Sequence, residues 1–252
     1  MVGFLQAAYL YFGFFLFGLA MLIVFPIVGL AEMLLPDEAN EKVKLYCMKF
    51  WASSFYTFGV WFYHKGSKKA QTDWPAGPVI IVANHNSLLD TPAIYLMLKR
   101  FAKPLAKIEL TQAPVFGHLC RWITLPVDRK SISSRQKAMS DMNAYLMNGG
   151  SLVIFPEGQM NKSTKDLQPF ETGAFRLSFE LGVPIAPIVI KGSKHCLAAT
   201  KPLVLRHGIV STEAGPIFYP NRYNTFLEMQ QAVYQWYLGK LSTKSNSQTV
   251  QV

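Results

Sequence analysis

Hydrophobic positions fall along this chain in three patterns, and each predicts a different kind of element. The first is continuous. From Met1 to Ala31 no side chain is charged, and Ala7 to Leu30 is almost unbroken apolar sequence. About 20 such residues cross a hydrocarbon core as a helix, so the run predicts a membrane-seated helix. A cleaved leader would carry a basic residue ahead of the run and a small-residue cleavage site behind it, and neither is present. Pro26 and Gly29 are positions where a helix bends, which leaves a spanning and a re-entrant course both open. The first positive charges, Lys42, Lys44 and Lys49, follow the run, and that side is expected in the cytoplasm.

The second pattern is aromatic. Between Val43 and Tyr63 stand Tyr46, Phe50, Trp51, Phe55, Tyr56, Phe58, Trp61, Phe62 and Tyr63. The uncharged part is too short to span a bilayer. Aromatic side chains favour the headgroup level and lysines favour anionic lipid, so this stretch predicts an interfacial helix. Gly66-Ser67-Lys68-Lys69 then reads as a polar link.

The third pattern alternates short apolar runs with helical spacing. Strands are predicted at Val79–Ala83, Pro104–Ile108, Ile123–Val127, Leu152–Phe155 and Ile185–Ile190. Helices are predicted at Leu88–Lys99, around Val115–Trp122, at Ser134–Asn148 and at Ala174–Leu181. Leu203–Leu205 with Ile209–Ser211 suggests a hairpin, and Thr225-Phe226-Leu227-Glu228 is a capping box that opens a last helix to Leu241. Strands separated by helices imply an α/β fold, with a mostly parallel sheet flanked by helices. The expected organisation is N-terminal membrane-anchoring helices over 1–65, an α/β domain over 66–241 and a polar tail over 242–252.

Composition adds partners and removes some chemistries. Half the chain is hydrophobic, only 16% is charged, and the net charge is +10. That balance suits an anionic surface, either a membrane or nucleic acid. Cys47, Cys120 and Cys196 lie far apart with no C-x-x-C spacing, which reads as reduced thiols and not as a disulfide frame or zinc site. No G-x-S-x-G elbow is present, so a serine-hydrolase mechanism has no nucleophile in its usual setting. The histidines form no ligand-spaced cluster, and no metal is expected.

What chemistry remains sits at strand ends. The run Val79–Ala83 delivers His85, and Asp90 follows five positions later as a helix begins. A histidine there can take a proton from a hydroxyl near neutral pH, and a carboxylate on its other ring nitrogen would fix the tautomer. Asp90 has a second reading, because Ser87-x-x-Asp90 is itself a capping signature. Leu152-Val153-Ile154-Phe155 ends abruptly at Pro156-Glu157-Gly158, where Gly permits close backbone approach to a ligand. Glu157 is then either a site residue or a turn carboxylate facing water. Leu125-Pro126-Val127-Asp128-Arg129 closes a strand with an arginine suited to phosphate. Val183-Pro184-Ile185-Ala186-Pro187 opens the last parallel strand.

Asn84-His85-Asn86-Ser87-Leu88-Leu89-Asp90, Leu125 to Arg129, Phe155-Pro156-Glu157-Gly158 and Val183 to Pro187, in that order, resemble the motif blocks of the glycerolipid acyltransferases. More narrowly the chain is similar to the bacterial 1-acylglycerol-3-phosphate acyltransferases. Lys107-Ile108-Glu109-Leu110, with Pro114 and Gly117 beyond, resembles that family's lysine-containing segment. The resemblance implies that His85 deprotonates the acceptor hydroxyl with Asp90 in support. The alkoxide would then attack the thioester of acyl-CoA or an acyl carrier protein. Arg129 and Lys107 would hold the acceptor phosphate, and Glu157 and Gly158 would shape its pocket. Val183, Pro184 and Pro187 would support the acyl-donor side. It implies no cofactor beyond the acyl carrier, no nucleic-acid partner, and a place on the cytoplasmic face of the cell's inner membrane, where the product would be phosphatidic acid.

Two departures bear on the acceptor. The family's third block usually continues with Thr and Arg, where this chain has Gln159 and Met160, and Phe170 is followed by Glu171 instead of a basic residue. Another lysophospholipid or a lyso-aminolipid is therefore the alternative acceptor. A basic membrane-binding protein without catalysis is the alternative class.

Overall fold

The computed structural model describes residues 2–65, 74–113, 116–128, 131–200 and 204–242. Its centre is a sheet of seven strands, in the order β1-β7-β6-β2-β5-β3-β4. The strands are β1 (Val60–Lys65), β2 (Ile80–Ala83), β3 (Lys103–Lys107), β4 (Leu125–Val127), β5 (Leu152–Ile154), β6 (Ile185–Lys191) and β7 (Gly208–Ala214). Every pairing is parallel except β6 with β7. The two central strands β2 and β5 are buried along their whole length. That follows from sequences such as Ile80-Ile81-Val82-Ala83, which have no polar face to turn to water.

Helices cover both faces. Helix α1 (Val2–Leu34), α2 (Asp37–Ser53), α3 (Asp90–Met97) and α4 (Phe116–Ile123) lie on one side. There Val24, Val28, Leu45 and Met48 share a core with Ile81, Ala83, Leu89 and Ile94. On the other side α5 (Ile132–Met147), α6 (Gly173–Leu181) and α8 (Phe226–Ser242) pack Met142, Leu146, Phe175, Leu177 and Tyr237 against Ile80, Val82, Leu152 and Ile185. The short α7 (Ser193–Cys196) joins β6 to the approach to β7. Thr225 Oγ1 accepts the Glu228 N–H at 3.1 Å to open α8, while the Glu228 carboxylate reaches back to the Asn224 N–H at 2.9 Å.

Three expectations change. The aromatic stretch 43–63 is not one helix. It comprises the end of α2, a 3-10 turn over Ser54–Phe58, and β1. Gly59, at φ +69°, turns the chain out of the helix. Beyond it Val60 is buried and Phe62 and His64 half-buried, while Trp61, Tyr63 and Lys65 are exposed. That period of two belongs to a strand. The sheet therefore begins at Val60, inside the segment expected to be purely anchoring. Lys44 is also turned inward, paired with Glu32 of α1 at 2.6 Å, and does not face lipid. Finally, Ile209–Ser211 forms no hairpin with Val204 and Leu205, and Leu203 lies outside the described residues. Val204 and Leu205 are outside any strand, and β7 pairs with β1 and β6 instead. Residues 66–69, and the tail beyond Ser242, lie outside the described residues.

Candidate active site

From β2 the chain runs to one side, reaching β3 beyond β5; from β5 it runs to the other, reaching β6 beyond β2. The loops after β2 and β5 thus part in opposite directions, and open α/β sheets bind ligands in the crevice such a reversal leaves. His85 follows β2 and Glu157 follows β5, so topology alone brings the two blocks together. Beyond Ala83↔Ile188 the β2–β6 ladder stops. Asn84 then takes over, its amide donating to the Ile190 carbonyl at 2.9 Å and accepting the Ile190 N–H at 2.8 Å. Tyr237 donates its hydroxyl to the carbonyls of Val82 and Ile188, at 2.7 and 3.0 Å. The strand tip beneath His85 is fixed from both sides.

His85 Nδ1 lies 3.0 Å from Asp90 Oδ2. The same oxygen accepts the Asn86 N–H at 2.6 Å and the Ser87 N–H at 2.8 Å. The two readings of Asp90 are therefore one arrangement, in which the carboxylate that orders the loop also holds the imidazole. Asp90 is fully buried at the start of α3. All three contacts fall on Oδ2, while Oδ1 is buried with no hydrogen-bond partner among the described residues. With Nδ1 on the carboxylate, Nε2 is the ring atom open to an incoming proton. The imidazole also stacks on Phe155, ring centroids 3.9 Å apart and 16° from parallel, which covers one face of the ring.

Glu157 is buried, and the water-facing reading is set aside. One carboxylate oxygen accepts the His85 N–H at 2.7 Å and the other accepts the Gln168 N–H at 3.0 Å. Burial pushes its pKa up to about 7, against the pull of those two backbone donors, with the Asp90 charge adding to the rise. Gly158 sits at φ +71°, where a Cβ would also come within 3.1 Å of the Glu171 side chain. Both facts favour glycine at the turn. The loop that follows folds back onto the histidine. The Asn161 N–H donates to the His85 carbonyl at 2.7 Å, and Asn161 Oδ1 accepts from Ser163 and Gln168.

A groove of about 660 Å³ opens beside these residues, between β3, β4, β5 and helices α5 and α6. Its floor includes Leu105, Ala138, Met139 and Met142, and one wall carries Phe155, Glu157 and Gly158. Lys107, at the exposed end of β3, is among its lining residues. Arg129 lies outside the described residues, but Arg135 of α5 lines the groove with Lys107. Glu109 and Glu171 line it too. Val183, Pro184 and Pro187 are not brought here. Pro184 stands at the opposite, N-terminal end of β6, where its carbonyl accepts the Ile80 N–H at 3.0 Å. Pro187 pairs with Val82, one residue before the β7 ladder begins at Ile188, where a missing donor costs least. This block builds the sheet.

Asn84, Phe155, Asn161, Gln168 and Arg135 carried no assigned role in the sequence reading. Asn84 and Phe155 adjoin assigned residues, and Arg135 falls on a helix with a groove-facing side. Asn161 and Gln168 sit in a loop with no periodicity to place them.

Comparison with known proteins points the same way. The sequence profile of the family described as Acyltransferase matches residues 63–191, just over half of the 252 residues. A chloroplast 1-acyl-sn-glycerol-3-phosphate acyltransferase of Brassica napus is 30% identical over 193 residues, covering 75% of this chain and 54% of the relative. A probable 1-acyl-sn-glycerol-3-phosphate acyltransferase of Mycoplasma genitalium is 31% identical over 161 residues, covering 60% and 58%. The chain spans about half the length of these curated relatives. The crystal structure of the 1-acyl-sn-glycerophosphate acyltransferase PlsC from Thermotoga maritima superposes with a TM-score of 0.80, at 20% identity, over 98% of this chain and 99% of that one. That last likeness is one of fold. The matched stretch, from β1 to the end of β6, contains the histidine–aspartate pair, the buried glutamate and the cationic end of β3, and the chain belongs to the acyltransferase family.

Proposed function

We propose that this protein transfers a fatty acyl group from a thioester carrier to the free hydroxyl of 1-acylglycerol-3-phosphate, giving phosphatidic acid. The observation that carries the reading is the His85–Asp90 pair at 3.0 Å, beside a groove whose lining combines apolar residues with Lys107 and Arg135. In the proposed reaction His85 Nε2 takes the acceptor's hydroxyl proton as the oxygen attacks the thioester carbonyl. Asp90 holds the neutral tautomer beforehand and stabilises the imidazolium afterwards. Collapse of the tetrahedral adduct expels the carrier thiolate, which receives the proton from His85. Ester and thiol are the products. Lys107 and Arg129 bind the acceptor phosphate, joined by Arg135, while Glu157 and Gly158 set the groove wall. The relatives named for this activity support the reading.

Helix α1 suits an amphiphilic substrate. Its Gly13, Ala20, Val24, Val28 and Ala31 are buried, whereas Phe12, Phe15, Leu22 and Leu30 are exposed. Phe25 stacks on Trp122 of α4 at 5.5 Å, and Phe17 meets Trp51 of α2 edge-on at 5.9 Å. A helix held against the domain along this length is best placed lying in the bilayer surface with its free face in lipid. We place that surface on the cytoplasmic side of the cell's inner membrane.

A second reading has a specific support. Glu109 and Glu171 share the groove with the cations, a pairing that fits a zwitterionic lyso-lipid headgroup. The test is an acceptor panel with purified protein, offered acyl-CoA and acyl carrier protein donors, with products identified by mass. The proposal predicts that lysophosphatidate is acylated fastest. Preference for a zwitterionic acceptor would replace it with the second reading, and no transfer to any lyso-lipid would dismiss both.

A further inference from the structure

A second cavity, of about 290 Å³, flanks the His85 loop beyond the end of β6. Asn86, Asp166, Lys191, Lys194, His195 and Leu241 are among its lining residues. Asn86 directly follows His85, so one wall of this cavity is the same loop that meets the groove through Glu157 and Phe155. Base-assisted transfer brings two substrates together at the histidine, and one space adjoins its loop at Asn86 while the other adjoins it through Phe155 and Glu157.

The lining says what would enter. Asn86 is buried, and its Oδ1 has no hydrogen-bond partner among the described residues. Buried acceptors are seldom left so, and this one asks for a ligand N–H. Lys194 Nζ donates to the carbonyls of Ser163 at 2.8 Å and Lys165 at 3.4 Å, and an ammonium has three hydrogens to give. Lys191 donates to the Lys240 carbonyl. Lys191 and Lys194 share the lining with one carboxylate, Asp166, and Lys191 also faces Glu213. An amide N–H and an anion are both wanted, in a space at the small end of the ~300–1,000 Å³ range of ligand sites.

We propose that this cavity receives the 4′-phosphopantetheine arm of the acyl donor, the chemistry that coenzyme A and acyl carrier protein share. An amide of the arm meets Asn86 Oδ1, and its phosphate meets Lys194, with Lys191 and His195 beside it. The space holds the arm alone, so the nucleotide of coenzyme A or the body of a carrier protein remains outside. This assignment rests on the acyl-transfer reading and gives its donor a site distinct from the groove.

Titration calorimetry of the full chain in nonionic micelles, with pantetheine 4′-phosphate and with pantetheine, tests it without turnover. The phosphorylated arm is expected to bind about 10-fold tighter than the phosphate-free one, the size of one charge-assisted contact. Lys194→Met should erase that difference and raise the donor KM about 10-fold with the acceptor KM unchanged, and Lys194→Arg should restore both. A thermal melt of each variant identifies misfolding, and Lys194→Arg then carries the comparison. His85→Ala should bind the arm as the native protein does, so loss of catalysis and loss of the donor site are told apart. Companion titrations with coenzyme A and holo acyl carrier protein distinguish the two sources. Absence of binding to the native chain, equal affinity for both arms, or a Lys194→Met effect on the acceptor KM instead would overturn the assignment.

Discussion

Asp90 Oδ2 does two jobs with one oxygen, and substitutions can separate them. Asp90→Asn keeps the shape and can still offer a carbonyl oxygen to the Asn86 and Ser87 N–H groups, but it removes the charge that would stabilise the imidazolium. Turnover should fall by about 10²–10⁴, while the melting temperature moves only a few degrees. Steady-state rates and a melt check this together. Undiminished turnover would show that His85 is not acting as a base held by this carboxylate. Glu157 makes a pH prediction of definite sign. Its folded pKa of about 7 lies above the ordinary 4.5, so between those values the folded protein binds more protons than the unfolded chain. Stability should therefore fall as pH rises through that window and level off above 7. Activity should rise through the same upper limit, because the ionised carboxylate is the form that accepts both the His85 and Gln168 N–H groups. Glu157→Gln should remove both inflections and hold activity near the native low-pH level; a profile identical to the native one would contradict this.

At the scale of elements, the site depends on how strands end. Where β2 and β6 part, the Asn84 side chain supplies the hydrogen bonds the ladder no longer makes. Asn84→Ala leaves the Ile190 N–H and carbonyl buried without them, and should cost about 1–3 kcal/mol in denaturant unfolding together with much of the activity. A loss under half a kcal/mol would mean the clamp is dispensable. Gly192, at φ +85° after β6, passes so close to the Ile209 carbonyl that a Cβ would stand 2.1 Å from that oxygen. Gly192→Ala should thus destabilise the β6–β7 crossing, read as a lowered melting temperature. The long strands and helices were legible because their hydrophobic periods are unambiguous: Ile80–Ala83 has no polar face, and Gly182 stops α6 in the left-handed conformation. The pairing of His85 with Asp90 was legible from spacing, and the Glu157 contact only from topology. Other features were not legible. Aromatics in Phe58–Tyr63 suit an interfacial helix and an edge strand equally, and Gly59 decides between them. The loop from Gln159 to Phe170 is ordered by side-chain bonds at Asn161 and Gln168, which leave no period in the sequence.

The whole molecule combines a net charge of +10 with an apolar helix face that the domain leaves uncovered. Under the proposed function, both features would bring the groove to a surface where lyso-lipid and product reside. Replacing Phe15 and Leu22 on that face by glutamate should move the protein from the membrane to the soluble fraction without unfolding it, because neither side chain is in the core; unchanged sedimentation with membranes would place the anchor elsewhere. The same double variant should keep its turnover on substrate dispersed in detergent. The central claim, however, is chemical: the His85 imidazole acts as base in acyl transfer to a lipid hydroxyl. The direct measurement is the rate of phosphatidic acid formation by purified native and His85→Ala proteins in mixed micelles of lysophosphatidate and acyl donor, with product quantified by mass. The account predicts a fall of at least about 10²-fold, with folding and micelle binding intact. Phosphatidic acid formed by His85→Ala at the native rate would contradict it.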